Sequence, residues 1–243
     1  MPKPIKKKVS KKSKPVEDIK SSLGHAKEFY VGRKNTLLKS AVVVLSIVIL
    51  VAGLWFYNRY QDRQAAVHET AGYNAFHNIY QQGKTDGERF KAALDEFNKA
   101  YALKKSPLTM FYIAGVQQSL GKVVEARETL KKIIASTPAS DDVVPLAWYK
   151  LFELYKAGNR DDEALEALKS LSALKGGFYK DAALYERARL LNKQGNKADA
   201  AARFEELVKS YPASPYLGEA KAELAALKGQ ADTGKPATGR AGK

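Results

Sequence analysis

Residues 41–57, AVVVLSIVILVAGLWFY, carry no charge at any position. As a helix this stretch spans about 26 Å, just short of a hydrocarbon core of roughly 30 Å. Including Leu37 and Leu38 brings the length to about 31 Å and leaves Lys39 one turn inside, with a methylene stem long enough to reach the headgroups. Trp55, Phe56, Tyr57 and Tyr60 gather at the far end, where amphipathic rings favour a membrane interface. A soluble helix seldom stays uncharged on every face for this length, and a buried strand is much shorter. The pattern therefore predicts a membrane-spanning helix over residues 37–57. A cleaved signal peptide fits less well, because about 40 residues precede the apolar run and aromatics with Asn58 and Arg59 follow it. Gly53 alone makes no helix-pairing motif.

Beyond this run the apolar positions take a helical period with regular interruptions. A helix is expected over about 64–82, followed by a loose set Ala93, Phe97 and Ala100. Three clearer segments follow. Ile113, Ala114 and Leu120-Gly121 lead to Ala126, Leu130, Ile133 and Pro138. Trp148, Leu151, Tyr155 and Gly158 lead to Ala164, Leu168, Leu171 and Gly176, and Leu184, Ala188, Leu191 and Gly195 lead to Ala200, Phe204, Leu207 and Pro212. Ala93, Ala126, Ala164 and Ala200 are 33, 38 and 36 residues apart. This resembles the tetratricopeptide repeat, a helix-turn-helix unit of about 34 residues. WYKLFELY carries the sharpest likeness through Trp148, Leu151 and Tyr155. Phe152 departs from the pattern in place of a glycine, Gln117 in place of an aromatic and Arg187 in place of an apolar residue.

The residue types suit stacked helix pairs. The alanines let the two helices of a unit approach, and Leu130, Leu168 and Phe204 fill the space between units. Gly121, Gly158 and Gly195 are expected to take positive φ where each first helix ends. Residues 211–227, YPASPYLGEAKAELAAL, read as a closing helix with Ser214 as N-cap and Pro215 at N1. The fold class is then all-α, a transmembrane helix followed by a tetratricopeptide-like helical-hairpin solenoid. The expected division is a basic disordered leader (1–36), the spanning helix (37–57), the repeat domain (58–228) and a disordered tail (229–243).

Charge adds orientation. Of a net +15 over 243 residues, 12 Lys and Arg fall in residues 1–39 against Glu17, Asp18 and Glu28, leaving 29 basic and 23 acidic residues beyond. The 20 residues before Ser40 hold Lys20, Lys27, Arg33, Lys34 and Lys39, and the 20 after Tyr57 hold only Arg59 and Arg63. Positive flanks stay in the cytoplasm, so the repeats are expected on the exported side. The leader KPIKKKVSKKSKP reads as a topology signal with possible contact to anionic lipid or ribosome. It lacks the interleaved aromatics that stack on bases, so no specific nucleic-acid partner is expected.

Chemistry has little foothold. There is no cysteine. His68 and His77 lie nine residues apart, half a turn out of phase on a helix, and cannot share a metal. No phosphate loop or nucleophile elbow occurs. Asp161, Asp162 and Glu163 fall at a helix start and complement its dipole. The reading is a non-enzyme with no cofactor and no metal site.

Binding is the expected function, since stacked helix pairs form a concave groove lined by first helices. Equivalent first-helix positions carry Phe111, Tyr149 and Tyr185, followed by polar Gln118, Glu153, Lys156, Arg189 and Asn192. The aromatics serve either as a ladder for peptide segments or as packing between units. The whole layout resembles the YfgM-like ancillary subunit family of the bacterial Sec translocon. That resemblance implies a single-pass inner-membrane protein, N-terminus cytoplasmic and repeats periplasmic. It implies partners among translocon subunits, a periplasmic chaperone and exported client chains. A scaffold subunit of a fixed envelope assembly or division complex is the alternative. An organelle import receptor would place the repeats in the cytosol, against the charge asymmetry.

Overall fold

A computed structural model describes residues 15–79, 83–176 and 178–233. Among these residues there are nine helices and no strands. The chain divides into two compact units, Met1–Tyr60 and Gln61–Lys243.

In the first unit the helix α1 (Pro15–Phe76) begins well before the apolar run. Residues 15–36 are thus helical where a disordered leader was expected; the lysine-rich residues 3–14 lie outside the described residues. Large apolar side chains from Val42 to Tyr60 are 55–67% exposed. The stretch is long and apolar enough to cross a membrane once, by length and composition. The hydroxyls of Ser40 and Ser46 are satisfied inside the helix, Ser40 Oγ donating to the Thr36 carbonyl at 3.0 Å and Ser46 Oγ to that of Val42 at 2.9 Å. That pairing removes the cost of bare hydroxyls in hydrocarbon.

The second unit is a run of antiparallel helix pairs. Residues 61–76 of α1 pair with α2 (Asp86–Leu103), α3 (Pro107–Ser119) with α4 (Val123–Ser136), α5 (Val143–Ala157) with α6 (Asp161–Ala173) and α7 (Lys180–Lys193) with α8 (Lys197–Ser210). The helix α9 (Leu217–Thr233) then packs on α8. Each second helix places three residues at i, i+4 and i+7 in the core. These are Ala93, Phe97, Ala100; Ala126, Leu130, Ile133; Ala164, Leu168, Leu171; and Ala200, Phe204, Leu207, none more than 1% exposed. The first, loose set is therefore a full member of the array.

The expected helix over 64–82 is instead the end of α1, which stops at Phe76. Asn78 takes φ +58°, and the Ile79 N–H reaches back to the Asn74 carbonyl at 2.8 Å. Arg89, buried on α2, donates to the Ala75 and Phe76 carbonyls at 3.3 Å each and pairs with Asp86, so its guanidinium closes the C-terminus of α1. Thr85 and Glu88 form a reciprocal cap at the start of α2.

The turns inside the next three pairs share one bond pattern. Lys122 N–H bonds the Gln117 carbonyl at 2.8 Å, Arg160 that of Tyr155 at 2.9 Å and Asn196 that of Leu191 at 2.9 Å. The residue before each donor adopts positive φ: Gly121 at +76°, Asn159 at +54° and Gly195 at +83°. Gly158, expected in that role, sits at φ −87°. Counting back from the buried alanines explains the difference, because Gly121 and Gly195 precede theirs by five residues whereas Gly158 precedes Ala164 by six. Asparagine tolerates the left-handed region well enough to fill the position.

Two departures from the repeat pattern acquire reasons. Gln117 accepts a hydrogen bond at 2.8 Å from Thr129 on the paired helix, and Phe152 is buried in the core around α4 to α6. The closing helix starts later than expected, at Leu217. Ser214 caps a preceding turn instead, its Oγ accepting from the Tyr216 N–H at 3.2 Å and donating to Asp181 at 2.8 Å. At the other end α9 runs to Thr233, past the expected boundary at 228; residues 234–243 lie outside the described residues.

Gly72 is buried against the Phe97 ring, and a Cβ there stands 3.0 Å from three ring carbons. Phe97 cannot yield easily, since it is fully buried and stacked on Tyr112 at 5.2 Å. Gly72→Ala is expected to cost about 1–3 kcal/mol through overpacking. Gly87→Ala, in the first turn of α2 with nothing within 4 Å, should raise stability by up to about 1 kcal/mol. Thermal melts of the detergent-solubilised chain by circular dichroism separate the two; equal shifts of the same sign refute the packing account.

Candidate protein-binding site

The first helices carry the expected groove residues, and the structure treats them unequally. Tyr149, Glu153 and Lys156 of α5 meet at a cavity of about 330 Å³, completed by Phe152, Ala157 and Glu186. The Tyr149 ring is stacked on Tyr179 at 5.3 Å and tilted against Phe152 at 5.5 Å. Lys156 Nζ donates to Glu186 at 2.7 Å and stands 5.3 Å from the centre of the Phe152 ring. Arg189 joins the same carboxylate at 3.8 Å, and Lys150 pairs with Glu153 at 3.0 Å. The cavity thus has an aromatic floor and a rim of matched charges.

Tyr185 does not stand open in this groove, which corrects its expected place there. It is 6% exposed. Its ring is stacked on Tyr216 at 4.8 Å, its edge meets Phe204 at 6.1 Å and its hydroxyl donates to Glu219. The segment leading into α9 and that helix together cover it, and the closing element converts this rung from surface to packing. Phe111 is half-buried against the core around α4 to α6. Gln118 and Asn192 are half-buried and their backbone carbonyls receive the turn bonds of Gly121 and Gly195. The cavity lining includes neither these three residues nor Tyr185.

Three contributors were not anticipated from sequence: Phe152 as floor, Glu186 as the shared carboxylate, and Tyr179 from the loop before α7, stacked on Tyr149. Glu186 could have been found from its spacing to Arg189, an i, i+3 ion pair on a first helix. Tyr179 follows no repeat position and carries no such signal. Elsewhere, His68 Nδ1 lies 2.7 Å from Glu96, while the His77 ring rests on Tyr73 and Phe76. No group of three metal-ligating side chains occurs among the described residues.

Residues 38–178 match the family model described as tetratricopeptide repeat-like domain. The chain belongs to the tetratricopeptide-repeat family. A second model, tetratricopeptide repeat, matches residues 182–214. No curated protein matches the sequence. Among solved structures, the crystal structure of MamA protein is similar at 16% identity and TM-score 0.50, covering 70% of this chain and 87% of that one. A putative kinesin light chain of Podosopora anserina with TPR-like repeats is similar at 18% identity and TM-score 0.51, covering 71% and 90%. At these identities the likeness shows the fold alone. Proteins of this family are in general interaction scaffolds, and the second unit of this tetratricopeptide-repeat protein is a protein–protein interaction module.

Burial pushes the hydroxyls of both Tyr149 and Tyr185 up to about 12; the bond to Glu219 adds to the effect at Tyr185. A phenol that ionises later when folded favours the folded state fully below about pH 10, the unfolded value, and loses that contribution as pH rises toward 12. Phenolate absorbance during alkaline titration should therefore show a late-titrating class that shrinks in Tyr149→Phe and in Tyr185→Phe, with stability falling across pH 10 to 12. Unchanged titration in either variant contradicts the burial. The two rings also separate by substitution. Tyr185→Ala is expected to cost about 3–5 kcal/mol by opening the packing under α9. Tyr149→Ala should cost about 1 kcal/mol and leave helicity intact; thermal unfolding of each distinguishes packing from groove.

Proposed function

We propose that this chain is a membrane-anchored adaptor whose repeat unit binds protein segments at the exported face of the bacterial inner membrane. The expected partners are translocon subunits, a membrane-anchored periplasmic chaperone or newly exported chains. One observation carries the reading: a helix apolar on every face precedes a helical-repeat unit whose Tyr149–Phe152 cavity has an aromatic floor and a charged rim. The match to the family model begins at residue 38, inside the apolar run, which supports treating helix and repeats as one functional layout. The excess of Lys and Arg before Ser40 supports a cytoplasmic N-terminus, with the anchor over 37–57 and repeats beyond it. Of the residues expected to face the partner, Tyr149, Glu153, Lys156 and Arg189 stand at or beside the cavity. Phe111, Gln118 and Asn192 extend the face along α3 and α7 in this reading.

A photo-crosslinking amino acid at position 149 in intact cells tests the proposal. The expected products are translocon subunits or many different exported chains, from membranes that retain the protein after alkaline washing. Release of the protein by the wash, or the absence of crosslinks to either class, refutes it. A single stoichiometric envelope partner favours the fixed-complex alternative instead.

A further inference from the structure

The turns of the second unit fall on two edges of different composition. Inside the later pairs, residues 120–122, 158–160 and 194–196 are Leu-Gly-Lys, Gly-Asn-Arg and Gln-Gly-Asn. The turns from one pair to the next, residues 104–106, 137–142, 174–179 and 211–216, instead bring in Pro138-Ala139, Phe178-Tyr179 and Pro212-Ala213. Successive helices run antiparallel, so these connecting turns share the edge at which residue 61 enters the unit. Two contacts mark that edge: Asp62 pairs with Lys104 of the first turn at 3.1 Å, and Ser214 of the last bonds Asp181, beside the third, at 2.8 Å.

The loop before α7 is the most apolar point of this edge, and packing holds both its roots. Leu174 lies against the core around α4 to α6, and Tyr179, at φ +59°, is stacked on Tyr149 at 5.3 Å. Phe178 between them is 65% exposed, the most exposed aromatic of the unit, and shares in none of the ring contacts among the described residues. Lys175 and Lys180 stand on either side of it without an ion-pair partner among the described residues, and the adjoining acid, Asp181, already accepts the Ser214 bond. The neighbouring turn carries Asp141 and Asp142, so the basic and aromatic character is confined to residues 175–180.

An exposed ring between two lysines suits a lipid–water interface. The ring enters the headgroup layer, and the ammonium groups reach phosphates along their methylene stems. A bilayer that holds residues 37–57 is tethered to the unit at this same edge, which gives it a higher effective concentration than any soluble partner. Resting on the membrane anchor of the reading above, we propose that the loop before α7 is a second, reversible contact with that bilayer, in which Phe178 enters the interface and Lys175 and Lys180 pair with phospholipid phosphates. Because Tyr179 of the loop is stacked on Tyr149, the contact also holds the cavity close to the headgroups. Phe178 belongs to no repeat position, so the contact is a property of this chain and not of the repeat.

The test places the photo-crosslinker benzoylphenylalanine at position 178, 124 or 57 of the full chain in vesicles of phosphatidylethanolamine and phosphatidylglycerol. Mass spectrometry then counts lipid adducts after irradiation. Position 57 lies in the apolar run, and Val124, 61% exposed near the opposite edge, matches Phe178 in exposure. Adducts at 178 should exceed those at 124 about five-fold. Lys175→Glu with Lys180→Glu should lower the yield at 178 about three-fold, with helicity by circular dichroism unchanged. Equal yields at 178 and 124, a charge reversal without effect, or crosslinks from 178 to a second copy of the chain in place of lipid each overturn the proposal. If position 57 still gives adducts in such a case, only this inference falls; if it gives none, the anchor falls and the adaptor reading with it.

Discussion

No helix pair in the second unit can cover its own apolar stripe. Each second helix offers a small residue where it must approach its partner and a large one a turn later, and covering the latter takes the next element as well as the partner, as Tyr112 does for Phe97. Ala126 with Leu130 and Ala200 with Phe204, all fully buried, show the division of labour. Closeness within a pair fixes the angle at which the large residue projects, and that projection fixes where the next pair sits. The placement of Tyr149, Lys156 and Glu186 on neighbouring first helices is a consequence of this stacking; none of the three specifies it.

A stacked array has ends, and both are treated chemically. At the beginning, Gly72 lets the Phe97 ring lie against the backbone of α1, and Arg89 supplies the donors that the last carbonyls of α1 lack. His68 with Glu96 at 2.7 Å and Asp62 with Lys104 at 3.1 Å add polar ties between residues 61–76 and α2. At the other end a half-repeat does the work: Tyr216 covers Tyr185, and Ser214 ties the turn to Asp181. The closing element is what turns one rung of the aromatic series into core.

The same two facts explain how far the sequence could be read. The second helices were legible because burial at i, i+4 and i+7 is enforced identically in every pair, so even the loose set at Ala93, Phe97 and Ala100 obeys it. The turns were legible to within one residue, with Asn159 taking the role assigned to Gly158; the five-residue distance to Ala164 held the correction. First-helix faces were less legible. Tyr149 and Tyr185 occupy equivalent positions, yet their surroundings come from different, non-equivalent segments, Tyr179 in one case and Tyr216 in the other. Equivalence specifies where a side chain starts and not what lies across from it. The loop pair Phe178 and Tyr179 belongs to no period at all, so nothing in the pattern pointed to it.

Charge pairing beside the cavity sets which charged heads face outward. Lys156 and Arg189 share Glu186, which is 13% exposed while the two cations are 41% and 51% exposed. The carboxylate is thus held below its cations, and both cationic heads remain on the outside. Exposed ion pairs contribute little to stability, so their arrangement is free to vary between relatives without weakening the stack. The buried alanines and their large neighbours, which carry the fold, lie on the second helices, whereas the rim charges lie on the first helices α5 and α7.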